Sequence, residues 1–423
     1  MDARRGLAAA QLVSIATALA ALACGSDGSS QLLGTQRQRG AGGGTELDGG
    51  GVAFGGVILP SQDGSCPGTM IACSGVCADT STDVNNCSAC GVVCGGTCAL
   101  GRCAVTLASG GIAASGPGGI AVSGTDVYYF SSTGLMSVPI AGGSPTTVAP
   151  LTGNAIALTA TDIYWTTSSA IIGMAMTGGT PTTIAPTGGE SIAVSATTVY
   201  WTTDSNVMSA PLGGLGDGGS PLTLATAQHD PFGLALGASG LYWSNGGTLS
   251  GMGGFAPNTG SIASVAVSDV ADAGAPDAAI DDAGTPHGGI TTLAAAQNYP
   301  HGLAVSGANV YWAASGSTAT QFADGTIMSA PLGAVSVGDA GGAATSLATA
   351  QPFPYAVAVD SQTLYWTCND NGGTSGAVMS IPLAGGAPVP LAKGQSSPTA
   401  IAVDATSVYW MTGSGALMKL TPK

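Results

Sequence analysis

Four loops of this 423-residue chain share one frame and differ in the residues able to do chemistry. They read ATAQHDPFG at 225–233, AAAQNYPHG at 294–302, ATAQPFPYA at 348–356 and AKGQSSPTA at 392–400. Gln228, Gln297, Gln351 and Gln395 recur in register, each with Pro three residues later, and a residue repeated in this way suits a structural hydrogen bond. The residues that do not repeat are His229, Asp230, Tyr299, His301 and Tyr355. Imidazole, carboxyl and phenol groups gathered on one rim supply acid–base chemistry or metal ligands. Asp204, Asn245, Asn369 and Asp370, each just after a recurring aromatic pair, add oxygens to the same set. The plainer account is that all nine are solvated loop residues, because loops collect polar side chains.

The rest of the composition argues against catalysis. From residue 104 onward there is no Arg, and Lys is confined to Lys393, Lys419 and Lys423, so an anionic substrate meets no cationic clamp. Only three His occur in the whole chain. No Gly-x-Ser-x-Gly elbow, His-Glu-x-x-His pair or phosphate loop is present. A net charge of −15 with eight Lys and Arg leaves no patch for phosphates, which excludes nucleic acid as a partner. Asp269, Asp272, Asp277, Asp281 and Asp282 crowd a Gly/Ala/Pro-rich stretch at 269–287, but their spacing matches no calcium loop. CNDNGG at 368–373 lacks a distal Glu in register. No cofactor is expected, calcium being the one ion whose oxygen ligands are at hand.

The loops belong to a repeat. Tyr128-Tyr129, Tyr164-Trp165, Tyr200-Trp201, Tyr242-Trp243, Tyr311-Trp312, Tyr365-Trp366 and Tyr409-Trp410 are seven aromatic pairs, and they use all six Trp of the chain. Their intervals are 36, 36, 42, 69, 54 and 44 residues, a period that means a propeller or a solenoid. Each unit has a short first strand such as GIAV at 119–122, then the aromatic strand. A third strand such as VMSAPL at 207–212 and a fourth such as PTTIA at 181–185 follow. Four short strands with Gly-rich turns make one propeller blade. Neighbouring residues on a strand face opposite sides, so each Tyr and Trp should pack into successive blade interfaces. Pro139, Pro211, Pro331 and Pro382 close the third strands, where pairing is expected to end or bulge. The last unit lacks a fourth strand, and AVTLA at 104–108 is a fourth strand without a blade. Joining them closes a seven-bladed ring and leaves no free edge.

YWTTD at 200–204 and YWT at 164–166 and 365–367 resemble the Tyr-Trp-Thr-Asp propellers of lipoprotein-receptor type. The Asp is mostly missing and that family is six-bladed, so the resemblance implies the fold and an extracellular binding role, and nothing finer.

Before the repeat lie segments of other kinds. Arg4 and Arg5 precede a mostly apolar run at 7–23 that ends in Ala21-Leu22-Ala23, which reads as a signal peptide over 1–23. LAALAC at 19–24 resembles a bacterial lipobox, which implies lipidation of Cys24. The alternative is plain secretion. Residues 24–65 are Gly-, Ser- and Gln-rich and read as a tether spanning roughly 35 Å root-mean-square. Cys66, Cys73, Cys77, Cys87, Cys90, Cys94, Cys98 and Cys103 fill a 38-residue stretch. In an exported chain they predict four disulfides across a module too small for a core of its own, with the pairing open. Zinc competes because of Cys87-x-x-Cys90, but the stretch has no His. Asp79, Asp83, Asn86-Cys87, Cys90-Gly91 and Gly101-x-Cys103 resemble the stigma-specific cysteine-rich family, which implies an extracellular module without catalytic residues. Cys368 is the odd cysteine, either a buried thiol beside Trp366 or a partner for an unlipidated Cys24.

The sequence therefore predicts an all-β protein: a disulfide-rich module at 66–103 and a seven-bladed β-propeller at 104–423. It is expected to be a monomeric, exported, non-enzymatic lipoprotein at the outer membrane or cell surface, touching the membrane only through its anchor. Its propeller face is expected to bind protein or glycan. The competing expectation is a periplasmic or secreted hydrolase or lyase assisted by a metal at His229, Asp230 and His301.

Overall fold

The computed structural model describes residues 45–46, 52–54, 57–61, 64–111, 119–216, 219–248, 256–267, 289–333, 344–370 and 373–423. The expected signal peptide, Cys24 and most of the tether lie outside these residues, as does the whole acidic stretch at 269–287.

Seven antiparallel blades follow one another in chain order, with blade 2 at 156–185, blade 3 at 192–225, blade 5 at 300–351, blade 6 at 354–395 and blade 7 at 401–421; the first six have four strands, and the seventh sheet gains two from residues 97–108. Blade 1 has strands Ile120–Val122, Asp126–Ser131, Gly134–Pro139 and Thr146–Ala149. Blade 4, which carries the first of the Gln loops, has Pro231–Gly237, Gly240–Asn245, Gly260–Val265 and Thr291–Gln297. No α-helix occurs among the described residues, and no helix there is long and apolar enough to cross a membrane.

The aromatic pairs pack as their alternation requires. Tyr164 lies with Trp201 in one buried cluster, Tyr200 with Trp243, Tyr242 with Trp312, Tyr311 with Trp366, and Tyr365 with Trp410. Each blade thus sends its Tyr into one interface and its Trp into the other. Tyr128 lies with Trp165, and Tyr409 meets Tyr129 at the last interface, so the packing runs round the whole ring. All six Trp side chains are fully buried. Each interface buries several large apolar side chains, which together supply the main stabilisation at about 25 cal/mol per Å² of apolar surface.

Closure takes the expected form. Arg102–Ala108 pairs antiparallel with Leu417–Thr421, completing blade 7 with a strand that precedes blade 1. The same strand also pairs with Thr97–Ala99 through Thr97↔Ala104 and Cys98↔Cys103. The closing strand therefore runs across the expected boundary at 103/104. The cysteines pair as Cys66–Cys77, Cys73–Cys90, Cys87–Cys98 and Cys94–Cys103. Cys368 is buried and disulfide-bonded rather than a free thiol; the eight module cysteines pair among themselves, so its partner lies outside the described residues.

The prolines end their strands without a bulge. Pro139, Pro211, Pro331 and Pro382 are exposed last residues paired only with the second strand. The recurring register shift sits near the start of the third strand instead, for example between Val207 and Met208. There the fourth strand bends away to begin the next inter-blade loop.

Candidate functional site

The Gln loops build one mouth of the ring. Backbone φ is positive at Ala227, Ala296, Ala350 and Gly394 (55°, 54°, 52° and 66°), just before each Gln. It is positive again at Asp230, Tyr299, Phe353 and Ser397 (56°, 51°, 44° and 38°), just before each Pro. Such residues need outside support to hold a left-handed conformation. The Gln supplies part of it. In each loop its Nε2 donates to the carbonyl two residues back, at 2.9–3.0 Å. Its Oε1 accepts from the indole Nε1 of Trp243, Trp312, Trp366 or Trp410 in the blade that follows the loop, at 2.9, 3.0, 3.3 and 2.9 Å. The residue before each Pro is held by its carbonyl, which accepts the amides of Gly246, Ser315, Asn369 and Gly413 in turn.

This frame fixes where the non-repeating side chains go. Phe232, His301 and Tyr355 each follow the Pro that opens an inner strand. Their rings touch across adjacent blades: His301 lies 4.5 Å from Phe232 and 4.5 Å from Tyr355, centroid to centroid. Tyr299 meets His301 edge-on at 4.0 Å, and Phe353 closes the cluster at 6.1 Å from Tyr355. His301 is 2% exposed, and neither ring nitrogen has a hydrogen-bond partner. Burial pulls its pKa down to about 3, so the imidazole is neutral at physiological pH.

Carboxylates stand beside the rings. A Cβ placed on Gly246 would lie 3.0 Å from Asp230 Oδ2 and 3.2 Å from Tyr299 Cε2, so these two groups converge over that glycine. Asp230 is half-buried, and its pKa is raised by burial, then by Glu190 and Asp204, both of its own sign. Tyr355 is raised by burial, then by Glu190 and Asp230, and Tyr299 by burial, Asp230 and Tyr355. Glu190, in the loop before blade 3, thus belongs electrostatically to the same mouth.

Of the expected set, the structure gathers Asp230, Tyr299, His301 and Tyr355. His229 points elsewhere as an exposed side chain, with its carbonyl taken by the Gly247 amide at 3.1 Å. Asp204 is exposed and reaches the mouth only through its charge. Asn245 is 8% exposed, and its Nδ2 donates to Gln228 Oε1 and Ser261 Oγ, which makes it part of the frame. Asp370 accepts from the amide and hydroxyl of Ser397 at 3.2 and 2.8 Å, and from those of Ser375, tying two loops together. Asn369 contributes its backbone amide to Phe353. Among the described residues no three His, Cys, Asp or Glu side chains come together to hold a metal, so His229, Asp230 and His301 do not assemble the expected trio. Glu190, Phe232 and Phe353 were absent from the sequence-derived set. Phe232 and Phe353 were findable, since they share loop positions with His301 and Tyr299.

No family model matches the chain, and no curated protein matches it. Solved structures do resemble it. Virginiamycin B lyase from Staphylococcus aureus aligns with a TM-score of 0.52 at 13% identity, over 76% of this chain and 98% of that one. A catalytically inactive histidine-to-alanine variant of that lyase, solved with quinupristin, gives 0.52 at 14% over the same shares. Hydrazine synthase from Kuenenia stuttgartiensis gives 0.50 at 11%, over 73% of this chain and 97% of that one. At such identities the likeness is one of fold.

Proposed function

We propose that this chain is an exported β-propeller that binds a protein or glycan ligand at the mouth formed by Asp230, Tyr299, His301 and Tyr355. The observation that carries this reading is His301: a 2%-exposed imidazole with two unpartnered nitrogens, ringed by aromatic faces at the end of the inner strands. Unpaired buried polar atoms are costly and rare, and in a mouth lined by aromatic rings they mark a place prepared for a ligand. The export signal supports delivery of that mouth outside the cytoplasm, and the four disulfides of the cysteine-rich module suit an oxidising compartment.

A second reading, an enzyme with His301 as general base, draws on the fold shared with a lyase whose histidine-to-alanine variant is inactive. The chemistry here disfavours it. His301 has no carboxylate holding its tautomer, and an imidazole whose conjugate acid has a pKa of about 3 is a poor proton acceptor at neutral pH.

The test is a panel of immobilised peptides and oligosaccharides probed with wild-type protein, Tyr299→Ala, and Asp360→Asn on the opposite face. A ligand lost with Tyr299→Ala and kept with Asp360→Asn supports the mouth. Ligands indifferent to Tyr299→Ala, or turnover of any ligand that stops with His301→Ala, would replace this reading with another surface or with the enzyme.

A further inference from the structure

We infer that the mouth selects an organic cation, a protonated primary amine such as a lysine side chain, held between the Asp230 carboxylate and the faces of Tyr299 and Tyr355. This rests on the mouth being the binding end and names the chemistry of its ligand.

Three independent features converge. Asp230 Oδ2 and the Tyr299 ring both pack against Gly246, 3.0 and 3.2 Å from where its Cβ would stand, so a carboxylate and an aromatic ring stand side by side. A cation over an aromatic face gains about 0.5–2 kcal/mol, more as water is excluded. Next, the charges that act on Asp230 are those of Glu190 and Asp204, so a negative field is built there. The propeller's cations stand elsewhere. Lys419 donates to the Ile140 carbonyl at 2.7 Å, Lys423 pairs with Asp360 at 2.6 Å, and Lys393 is an exposed residue of an outer strand. An entering cation relieves a half-buried carboxylate crowded by its own sign, whereas a neutral sugar does not and an anion makes it worse. Last, His301 lies one ring away, neutral and with both nitrogens unpartnered. A neutral imidazole offers one acceptor nitrogen, and a carboxylate offers two acceptor oxygens. A group rich in N–H donors satisfies both, which favours an ammonium over a quaternary ammonium.

The experiment is calorimetric titration of the full chain with cadaverine, tetramethylammonium and cellobiose in low salt at neutral pH. Cadaverine should bind more tightly than tetramethylammonium, and cellobiose should not compete. Asp230→Asn should weaken cadaverine about tenfold or more, the loss expected when a charge-assisted hydrogen bond is removed. Asn tolerates the left-handed backbone at this position, so that variant keeps the loop. Asp204→Asn, which acts only at a distance, should weaken it about twofold. Asp360→Asn should leave it unchanged. Cadaverine binding that survives Asp230→Asn places the amine elsewhere and overturns the inference. No cadaverine binding, alongside a peptide or glycan that depends on Tyr299, overturns the cation but leaves the mouth standing. No ligand of any kind that depends on Tyr299 overturns both.

Discussion

Asp360 lies at the turn between the first two strands of blade 6, at the end of the ring away from His301. Its carboxylate accepts from Lys423 Nζ at 2.6 Å, from the Gln362 and Thr363 amides at 2.8 Å, and from the Tyr365 hydroxyl at 3.0 Å. Burial works to raise its pKa; the Lys423, Gln362, Thr363 and Tyr365 hydrogen bonds outweigh it and leave the value at about 2, against an ordinary 3.8. A depressed folded-state pKa contributes stability that is complete above the unfolded value and lost as pH falls through the folded one. The contribution should fade between about pH 4 and pH 2. The pair is partly exposed, so about 0.5–1 kcal/mol is at stake. Urea unfolding of wild-type and Asp360→Asn protein should differ by that amount at pH 6 and converge at pH 2. A constant gap across this range would mean that Asp360 acts through shape rather than charge. At this scale the sequence was half legible. His301, Tyr299 and Tyr355 stood out because they broke a repeat. Glu190 did not, because its loop lacks the Gln-x-x-Pro frame and offers nothing to align it against. Asn245 and Asp370 looked chemical and proved structural, since their partners come from other loops that only the fold brings near.

The aromatic strand is the element that carries most of the fold, and its use differs between blades. In blades 4 to 7 the Trp indole donates to the loop Gln. In blades 2 and 3 no such Gln exists, and Trp165 and Trp201 Nε1 are buried without a partner. The residue after the pair has a second duty. Ser244 Oγ donates to the His301 carbonyl at 2.6 Å and Thr367 Oγ1 to the Thr399 carbonyl at 3.2 Å, each reaching into the next blade. In the other Tyr-Trp-Thr copies the hydroxyl works inside the blade: Thr166 Oγ1 accepts the Ala155 amide at 3.0 Å and Thr202 Oγ1 the Ser191 amide at 3.2 Å. The packing was readable from alternation alone. The reach into the next blade was not, because nothing in one blade's sequence shows which carbonyl of the next blade will face that hydroxyl. We expect Gln297→Leu to cost about 1–3 kcal/mol in urea unfolding, the range for leaving a buried donor such as the Trp312 N–H unpaired. The same change should loosen the Asn298–Tyr299 turn and weaken any ligand of the mouth. Unchanged stability would show that water replaces the side chain.

The whole ring depends on one long-range ladder. Cys103, Ala104, Val105, Thr106 and Ala108 pair with Thr421, Leu420, Lys419, Met418 and Leu417, joining segments more than 300 residues apart. This was legible as a count: one fourth strand missing at one end and one to spare at the other. What the count missed is that the strand begins at Arg102 and is shared with the Thr97–Ala99 hairpin, which the Cys94–Cys103 disulfide ties to the module. Closing a loop of this length is entropically expensive, so the ladder should form late and fail first. Two truncations separate its parts. A chain starting at residue 103, with Cys103→Ser, keeps the ladder and loses the hairpin; a chain starting at Ser109 loses both. In the second, Leu417–Thr421 becomes a free edge with unpaired amides and carbonyls. Hydrogen exchange at Val408–Met411 and Leu417–Thr421 should speed up by at least about tenfold in the second chain relative to the first, and the second chain should aggregate. The blade 3 strands, which lie far round the ring, should change less. Equal protection of blade 7 in both chains would mean that the ring holds without its closing strand, and that the seven interfaces alone carry its stability.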